Sequence, residues 1–298
     1  MARPDLRDRH PTTGASRRPR GRGRPNRRRR RLVGALVLTV VTAAVLVVAL
    51  RPRPGPPPQP ACTAGVVAGG PGYTLAPDQA QNAAIIAAVA YRQGLPDHAV
   101  TVALATALQE SGLHNLPYGD RDSVGLFQQR PSQGWGTRAQ LLDPVYAVTA
   151  FYTALQKVAG WQSMAVTDAA QAVQQSADPS AYAGWEGQAR TLAVALTGET
   201  PAALTCRLVS FSGPPPAPTA LGAALSTEMG RDLLGPDLPA KTGWRVAAWV
   251  VAHAYAYHVR TVAFAGWQWQ AASGRWRRSN VGVDPVTGGV VSVTAARA

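Results

Sequence analysis

The chain has 298 residues and a formal net charge of +14, from 30 Lys and Arg against 16 Asp and Glu. Residues 1–53 hold almost all of this excess, with 15 Arg and 2 Asp, so the remaining 245 residues are nearly neutral. The basic character belongs to an N-terminal segment, which argues against a nucleic-acid-binding domain, and the length leaves room for one or two globular domains.

The N-terminal segment has two parts. Residues 1–31 are rich in Arg, Pro and Gly, with too few apolar side chains to offset the entropy of ordering, and predict a disordered cytoplasmic tail. Residues 32–50 carry no charge and predict one transmembrane anchor helix of about 28 Å, close to the ~30 Å hydrocarbon core of a bilayer. Arg residues stand mainly before this run, which predicts an extracytoplasmic location for everything after it. A cleaved signal peptide is the alternative.

Two Pro-rich stretches predict linkers. Residues 51–61 predict an extended spacer, and residues 207–218 a second linker. Cys62 and Cys206 bracket the segment between them. Disulfides persist outside the cell, so we expect these cysteines to pair, with two separate buried thiols as the alternative. The predicted domains are therefore 62–206 and 219–298.

The segment 62–206 has helical periodicity. Apolar residues recur at helical spacing over 79–93, after Asp97, after Asp143, and over 167–175 and 178–196. Residues 111–142 lack a period and are dominated by Gly, Pro, Asp and Gln; a long loop of this kind is usually functional or disordered. The segment 219–298 predicts a small α+β domain of unknown role, with a helix over 243–258 and strands over 261–265 and 289–294. We expect its Trp residues to fill a core, with saccharide or peptide binding by stacked indoles as the alternative.

Glu110 is the candidate catalytic acid. It ends an apolar helix just before Ser111 and Gly112. At such a position the helix dipole and apolar neighbours favour a protonated carboxyl group, which a general acid needs. An ordinary exposed Glu at a helix end is the alternative.

Three short motifs accompany this residue. They are Glu-Ser at 110–111, Gly-Leu-Phe-Gln at 125–128 and Ala-Phe-Tyr at 150–152. Their order resembles the soluble lytic transglycosylases and goose-type lysozymes of the lysozyme-like superfamily, which have Met at the third position of the second motif. The loop at 128–136 is similar to that of an actinobacterial exported branch. The family's Ala-Tyr-Asn-Ala motif has no match, the nearest segment being Val-Gln-Gln-Ser at 173–176.

The resemblance covers residues 76–196 and implies both a fold and an activity. The implied fold is a mainly α lysozyme-like catalytic domain, here preceded by one transmembrane helix and followed by a small α+β domain. The implied reaction is cleavage of the β-1,4 bond between N-acetylmuramic acid and N-acetylglucosamine in peptidoglycan, with Glu110 acting alone as acid and then base. The substrate-binding positions under this interpretation are Ser111, Gly125, Gln128, Trp135, Tyr152 and Gln174.

Other functions stay open. Asp120 and Asp122 lie in the loop and would supply the second carboxylate of a hydrolytic muramidase; as turn residues, solvated or paired with Arg121, they would have no catalytic role. A non-catalytic peptidoglycan-binding module is a further alternative. The five His show no metal-ligand spacing, so we expect no metal or cofactor. The expected partners are peptidoglycan glycan strands and the membrane, through the anchor helix, without nucleic acid.

Overall fold

The computed structural model describes residues 31–33, 35–36, 59–65, 72–176, 178, 180–279 and 288–296. The chain divides into two compact units, residues 1–57 and residues 58–298. In the first unit only residues 31–33 and 35–36 are described, and they are helical. The predicted tail at 1–31 apart from residue 31, most of the predicted anchor at 32–50 and most of the spacer at 51–61 thus lie outside the described residues.

The second unit contains both helices and strands. The helices are α1 Pro77–Arg92, α2 Asp97–Ser111, α3 Arg138–Leu141, α4 Pro144–Leu155, α5 Val166–Gln174, α6 Glu186–Leu196, α7 Ala220–Met229 and α8 Ala240–His253. The strands are β1 Ala61–Ala64, β2 Tyr73–Leu75, β3 Leu204–Arg207, β4 Val259–Phe264, β5 Trp267–Gln270, β6 Arg275–Arg278 and β7 Ser292–Ala295.

The strands form two antiparallel sheets. The first has the order β2-β1-β3, and in it Cys62 lies directly opposite Cys206. These two cysteines form a disulfide, as the sequence predicts. The second sheet has the order β6-β5-β4-β7. The disulfide therefore closes the first sheet by joining its middle strand to an edge strand.

The expected fold class is wrong in two respects. The structure is mixed α/β, with 46% helix, 15% strand and two antiparallel sheets, where a mainly α domain was expected. Within the described residues, no helix is both long enough and apolar enough to cross a membrane, so the transmembrane helix of the expected fold is not found there either. The first sheet escaped detection because β1, β2 and β3 have only three or four residues each, and β1 pairs with a strand 144 residues away.

Helices α1, α2, α4 and α5 begin and end close to where their sequence predicts, whereas α6 begins at Glu186 instead of residue 178 and α3 lies in the predicted loop 111–142. Pro77 opens α1, and Asp143 caps α4 by accepting hydrogen bonds from the backbone of Val145 and Tyr146 at 2.9 and 3.4 Å. In α2 every residue from 99 to 108 is buried. A helix that is apolar on all sides lies inside a domain. Accordingly α2 packs against α1, α4, α5 and α6, and Glu110 emerges at the end of this central helix.

One hydrophobic core extends on both sides of the predicted linker at 207–218. Helix α8 packs on α1, and the indole nitrogens of Trp269 and Trp276 donate to Thr205 Oγ1 at 3.1 Å and to the Leu204 carbonyl at 2.9 Å. Trp244, Trp249 and Trp269 are buried in this core, while Trp267 and Trp276 are half-buried and pack against it.

Candidate functional site

The C-terminal end of α2 is held by side chains of α1. The chain leaves α2 through Gly112 and Leu113, which both adopt positive φ angles, 61° and 66°. Gln79 Nε2 donates to the Gly112 carbonyl at 2.7 Å, and Asn82 Nδ2 donates to the Leu113 carbonyl at 2.8 Å. These bonds satisfy the carbonyl groups of the two residues that follow α2. They also fix the position of the helix end that carries Glu110.

Tyr182 is the direct partner of Glu110. Its hydroxyl donates to Glu110 Oε1 at 2.8 Å. Tyr182 is fully buried, whereas Glu110 is half-buried. Burial raises the pKa of Tyr182, and the neighbouring Glu110 charge raises it further. Tyr182 is therefore a permanent hydrogen-bond donor to one oxygen of the carboxyl group.

A second aromatic residue follows on the same segment. Trp185 Nε1 donates to Gln109 Oε1 at 2.8 Å, so the turn Ala183–Trp185 is attached to the residue preceding Glu110. Neither Tyr182 nor Trp185 was among the candidates from the sequence. Both lie within the helix predicted over 178–196, but the observed helix α6 begins only at Glu186, so the two residues precede it. The only feature of the sequence that could have indicated these two residues is that they are aromatic and lie in a Gly-containing segment.

Ser111 connects the helix end to the motif at 125–128. Its hydroxyl lies 2.7 Å from the Leu126 carbonyl and 3.1 Å from the Ala107 carbonyl, both of which accept. A hydroxyl engaged in this way holds the loop beside Glu110. This is the helix-end role that the residue type suggests.

Gly125 is required by packing within the loop. Its φ is +80°, and a Cβ at this position would lie 2.4 Å from the Leu141 carbonyl oxygen. Its own amide donates to the Leu116 carbonyl at 2.7 Å. Since Gly125 is buried, the close approach that glycine permits here is to the protein's own backbone.

Gln128 and Gln174 also bind the loop backbone. Gln128 Nε2 is shared between the carbonyls of Tyr118 at 3.3 Å and Gly125 at 3.2 Å. Gln174, at the end of α5, donates to the Phe127 carbonyl at 2.9 Å. Both side chains are half-buried. Together with Ser111, they hold three carbonyl groups of the segment 125–127 and thereby fix its position relative to Glu110.

The two predicted aromatic contacts differ in exposure. Tyr152 has no exposed surface, and its hydroxyl donates to the Ile86 carbonyl at 3.1 Å, so it lies in the core with no face available to a sugar. Burial also raises the pKa of Tyr152 well above its ordinary value. Trp135 is half-buried, and its carbonyl accepts from Tyr146 Oη at 3.3 Å.

The two loop aspartates have different environments. Asp120 is highly exposed and lies 3.7 Å from Arg121 Nε. Asp122 accepts from Arg130 Nε at 2.8 Å, from the Ser132 amide at 2.8 Å and from Ser132 Oγ at 3.0 Å. The Arg130 hydrogen bond, followed by those from Ser132, holds the pKa of Asp122 far below its usual range. Asp122 is thus a permanently charged acceptor that closes the loop.

Among the described residues, no group of three or more His, Cys, Asp and Glu side chains is arranged to hold a metal ion. His114 is partly exposed, and its Nδ1 lies 2.6 Å from Asp78 Oδ2.

Comparison with known proteins adds no relative. No family model matches the chain, and no curated protein is significantly similar to it.

Proposed function

We propose that this protein cleaves the β-1,4 bond between N-acetylmuramic acid and N-acetylglucosamine in peptidoglycan, with Glu110 as a single acid and base. The observation that carries the proposal is the pairing of a half-buried carboxyl group with a buried tyrosine. Tyr182 occupies Oε1, while among the described residues Oε2 has no hydrogen-bond partner. Oε2 is thus the oxygen that can hold a proton for the substrate.

The proposed reaction has two proton transfers. Protonated Glu110 donates from Oε2 to the glycosidic oxygen as the bond to the anomeric carbon breaks. The resulting carboxylate then accepts the proton of the muramic acid 6-hydroxyl as that oxygen attacks the anomeric carbon, which yields a 1,6-anhydro product. The Tyr182 hydroxyl stabilises the carboxylate between the two steps, because a hydrogen bond to a charged acceptor is stronger than one to a neutral acceptor.

The environments of the two loop aspartates favour a mechanism with one carboxyl group over a mechanism with two. A hydrolase needs a second carboxyl group that can act on water or on the anomeric carbon. Asp122 is occupied by three donors from Arg130 and Ser132, and Asp120 lies at the exposed surface beside Arg121. For this reason the proposal favours a lytic transglycosylase over a hydrolytic muramidase.

The proposal also includes an extracytoplasmic site of action. The disulfide between Cys62 and Cys206 supports it, since such bonds persist in oxidising compartments and are rare in the cytosol. Peptidoglycan lies in the same compartment. The likeness of the motifs at 110–111 and 125–128 to the lytic transglycosylases belongs to this proposal as well.

The test uses the fragment 58–298, which contains the whole compact unit and its disulfide. We expect this fragment to clear peptidoglycan embedded in a gel, and the Glu110→Gln variant to lose at least about 100-fold in rate, the low end of what a general acid contributes. Asp120→Asn is the matched control, because it also removes one carboxylate of the region, and should keep its activity. A wild-type fragment that binds cell walls without clearing them would favour the non-catalytic binding module.

A further inference from the structure

The sheet β6-β5-β4-β7 has one apolar and one polar face. Val262, Trp269 and Trp276 are direct cross-strand neighbours and belong to the face that packs on the core. The next residues along each strand point the other way, since side chains alternate. On that side Thr261 pairs with Gln270, and Gln270 pairs with Arg275. This polar row crosses three strands and becomes more exposed towards Arg275.

A groove of about 520 Å³ begins at this row. Thr261 and Gln270 line it on the sheet side, and Arg260 stands beside them. The register of β4 against β7 shifts between Val259 and Thr261, and this irregularity places the exposed Arg260 side chain at the groove. The described residues provide neither an ion pair nor a hydrogen bond for the guanidinium groups of Arg260 and Arg275.

The opposite wall of the groove is apolar. Phe211 stacks on His258 with ring centroids 4.9 Å apart, and Leu208 and the exposed Val209 continue this wall. His258 Nε2 donates to the Ser212 carbonyl at 3.1 Å, which fixes the ring. The groove thus combines arginines and neutral hydrogen-bonding groups on one side with an apolar wall on the other.

The strands beside the groove carry charge of one sign. Strands β4, β5 and β6 contain Arg260, Arg275, Arg277 and Arg278 and no acidic residue. Arg guanidinium groups bind carboxylates through two parallel hydrogen bonds. An apolar wall suits the aliphatic side chains of a peptide better than a chain of phosphodiesters, which offers little apolar surface.

We propose that this groove, lined by Phe211, His258, Arg260, Thr261 and Gln270 with Arg275 beside it, binds a short peptide that carries carboxylates. The identity of the peptide rests on the proposed function: it is the stem peptide attached to the glycan strands of peptidoglycan. The groove would hold the wall through its peptides while Glu110 acts on its sugars.

The test measures binding of a labelled stem pentapeptide with free carboxylates to the fragment 58–298, which lacks the Arg-rich segment that would bind anions by itself. We expect the double variant Arg260→Gln, Arg275→Gln to bind at least about tenfold more weakly, the loss of roughly one charge-assisted contact. Lys157→Gln is the matched control, since it removes one exposed cation from the helical half, and it should bind within about twofold of wild type. The same peptide with its carboxylates converted to amides should also bind at least about tenfold more weakly.

Three results would overturn the inference: no binding by the wild-type fragment, equal binding of the amidated peptide, or tighter binding of a phosphodiester oligomer than of the peptide. Circular dichroism of the double variant checks that it folds. The Glu110→Gln variant should bind the peptide like wild type, and the double arginine variant should still cleave isolated, peptide-free glycan strands. These two variants distinguish a failure of the peptide-binding proposal from a failure of the proposed cleavage reaction.

Discussion

At the scale of single residues, the contact between Tyr182 and Glu110 determines which carboxyl oxygen is available. The buried hydroxyl stays protonated and engages Oε1, so the two oxygens are not equivalent. A general acid works best when its donor atom is positioned before the substrate arrives. Tyr182 is accordingly a positioning residue in the proposed reaction.

The variant Tyr182→Phe keeps the buried ring and removes only the hydrogen bond to Glu110. A hydrogen bond to a charged group is worth about 1.5 to 3 kcal/mol, so we expect kcat to fall by about 10- to 100-fold with little change in KM. Initial rates on soluble glycan strands measure this effect. The control is Tyr73→Phe, which loses a hydroxyl on strand β2. Equal rates in the two variants would mean that the contact has no role in catalysis.

Asp122 gives a second test at this scale. We expect Asp122→Asn to weaken the contacts with Arg130 and Ser132, to lower the rate and to leave the anhydro product unchanged. Mass analysis of the released products is the measurement. Complete loss of cleavage with normal folding would identify Asp122 as a second catalytic carboxylate.

The lowered pKa of Asp122 also affects the pH dependence of stability. The ionised carboxylate stabilises the fold above its ordinary pKa of about 3.9, and this contribution is lost only as the pH falls through the lower folded value.

At the scale of elements, sequence patterns located most helices of the first half but not the sheet that flanks them. Helices α1, α2 and α4 have apolar periodicity together with Pro or Asp at their starts, and these signals are local. Strands β1 and β3 pair only through contacts distant in sequence. The position of Tyr182 beside Glu110 depends on the packing of α6 against α2, so no local pattern could have revealed it.

The motif residues show the same limit. Ser111, Gly125, Gln128 and Gln174 were predicted as substrate contacts, and the structure does bring them together around one loop. Their hydrogen bonds go to the backbone of that loop and of its neighbours. A sequence motif marks residues that a site needs, but whether they touch a substrate or support the loop depends on the folded geometry.

A cluster of charges joins helices of the two halves of the chain. Lys241 Nζ at the start of α8 lies 2.8 Å from Asp97 Oδ2 and 3.7 Å from Glu199 Oε1. The hydrogen bond with Asp97, together with burial, raises the pKa of Glu199. Burial acts to raise the pKa of Asp97, but hydrogen bonds with Glu199 and Lys241 outweigh it and lower the value. The carboxyl group of Glu199 is therefore easier to protonate than that of an ordinary Glu, and the carboxyl group of Asp97 is easier to ionise than that of an ordinary Asp.

The variant Glu199→Gln tests this cluster. A raised folded pKa means that Glu199 stabilises the fold below its unfolded pKa and that this contribution is lost as the pH rises through the folded value. The side-chain amide that this substitution introduces can donate a hydrogen bond to Asp97 and removes the negative charge of Glu199. We therefore expect the variant to have a higher melting temperature than wild type at pH 7. The difference should shrink near pH 4, about the ordinary pKa of Glu. Thermal unfolding at the two pH values measures it, and a variant less stable than wild type at pH 7 would contradict the assignment.

At the scale of the whole molecule, the disulfide ties the start of the compact unit to the strand that follows α6. Cys62 and Cys206 are 144 residues apart. A crosslink closing a loop of this length removes much of the entropy of the unfolded chain, with a stabilisation of about 4 to 5 kcal/mol in chain-entropy models.

We expect the double variant Cys62→Ser, Cys206→Ser to lose a free energy of unfolding of that order, about 4 to 5 kcal/mol. Urea unfolding of the fragment 58–298 measures it. The wild-type fragment under strong reductant is the control and should match the variant. An unchanged unfolding midpoint in both would show that the crosslink leaves the stability unaffected.

Mass spectrometry of the products released from purified peptidoglycan by the fragment 58–298 tests the central claim most directly. The proposal predicts 1,6-anhydro-muramic ends from the wild type and at least about 100-fold less of them from Glu110→Gln, because that variant lacks the proton donor. Reducing ends from the wild type, no release at all, or equal anhydro products from Glu110→Gln would contradict a single acid and base at Glu110.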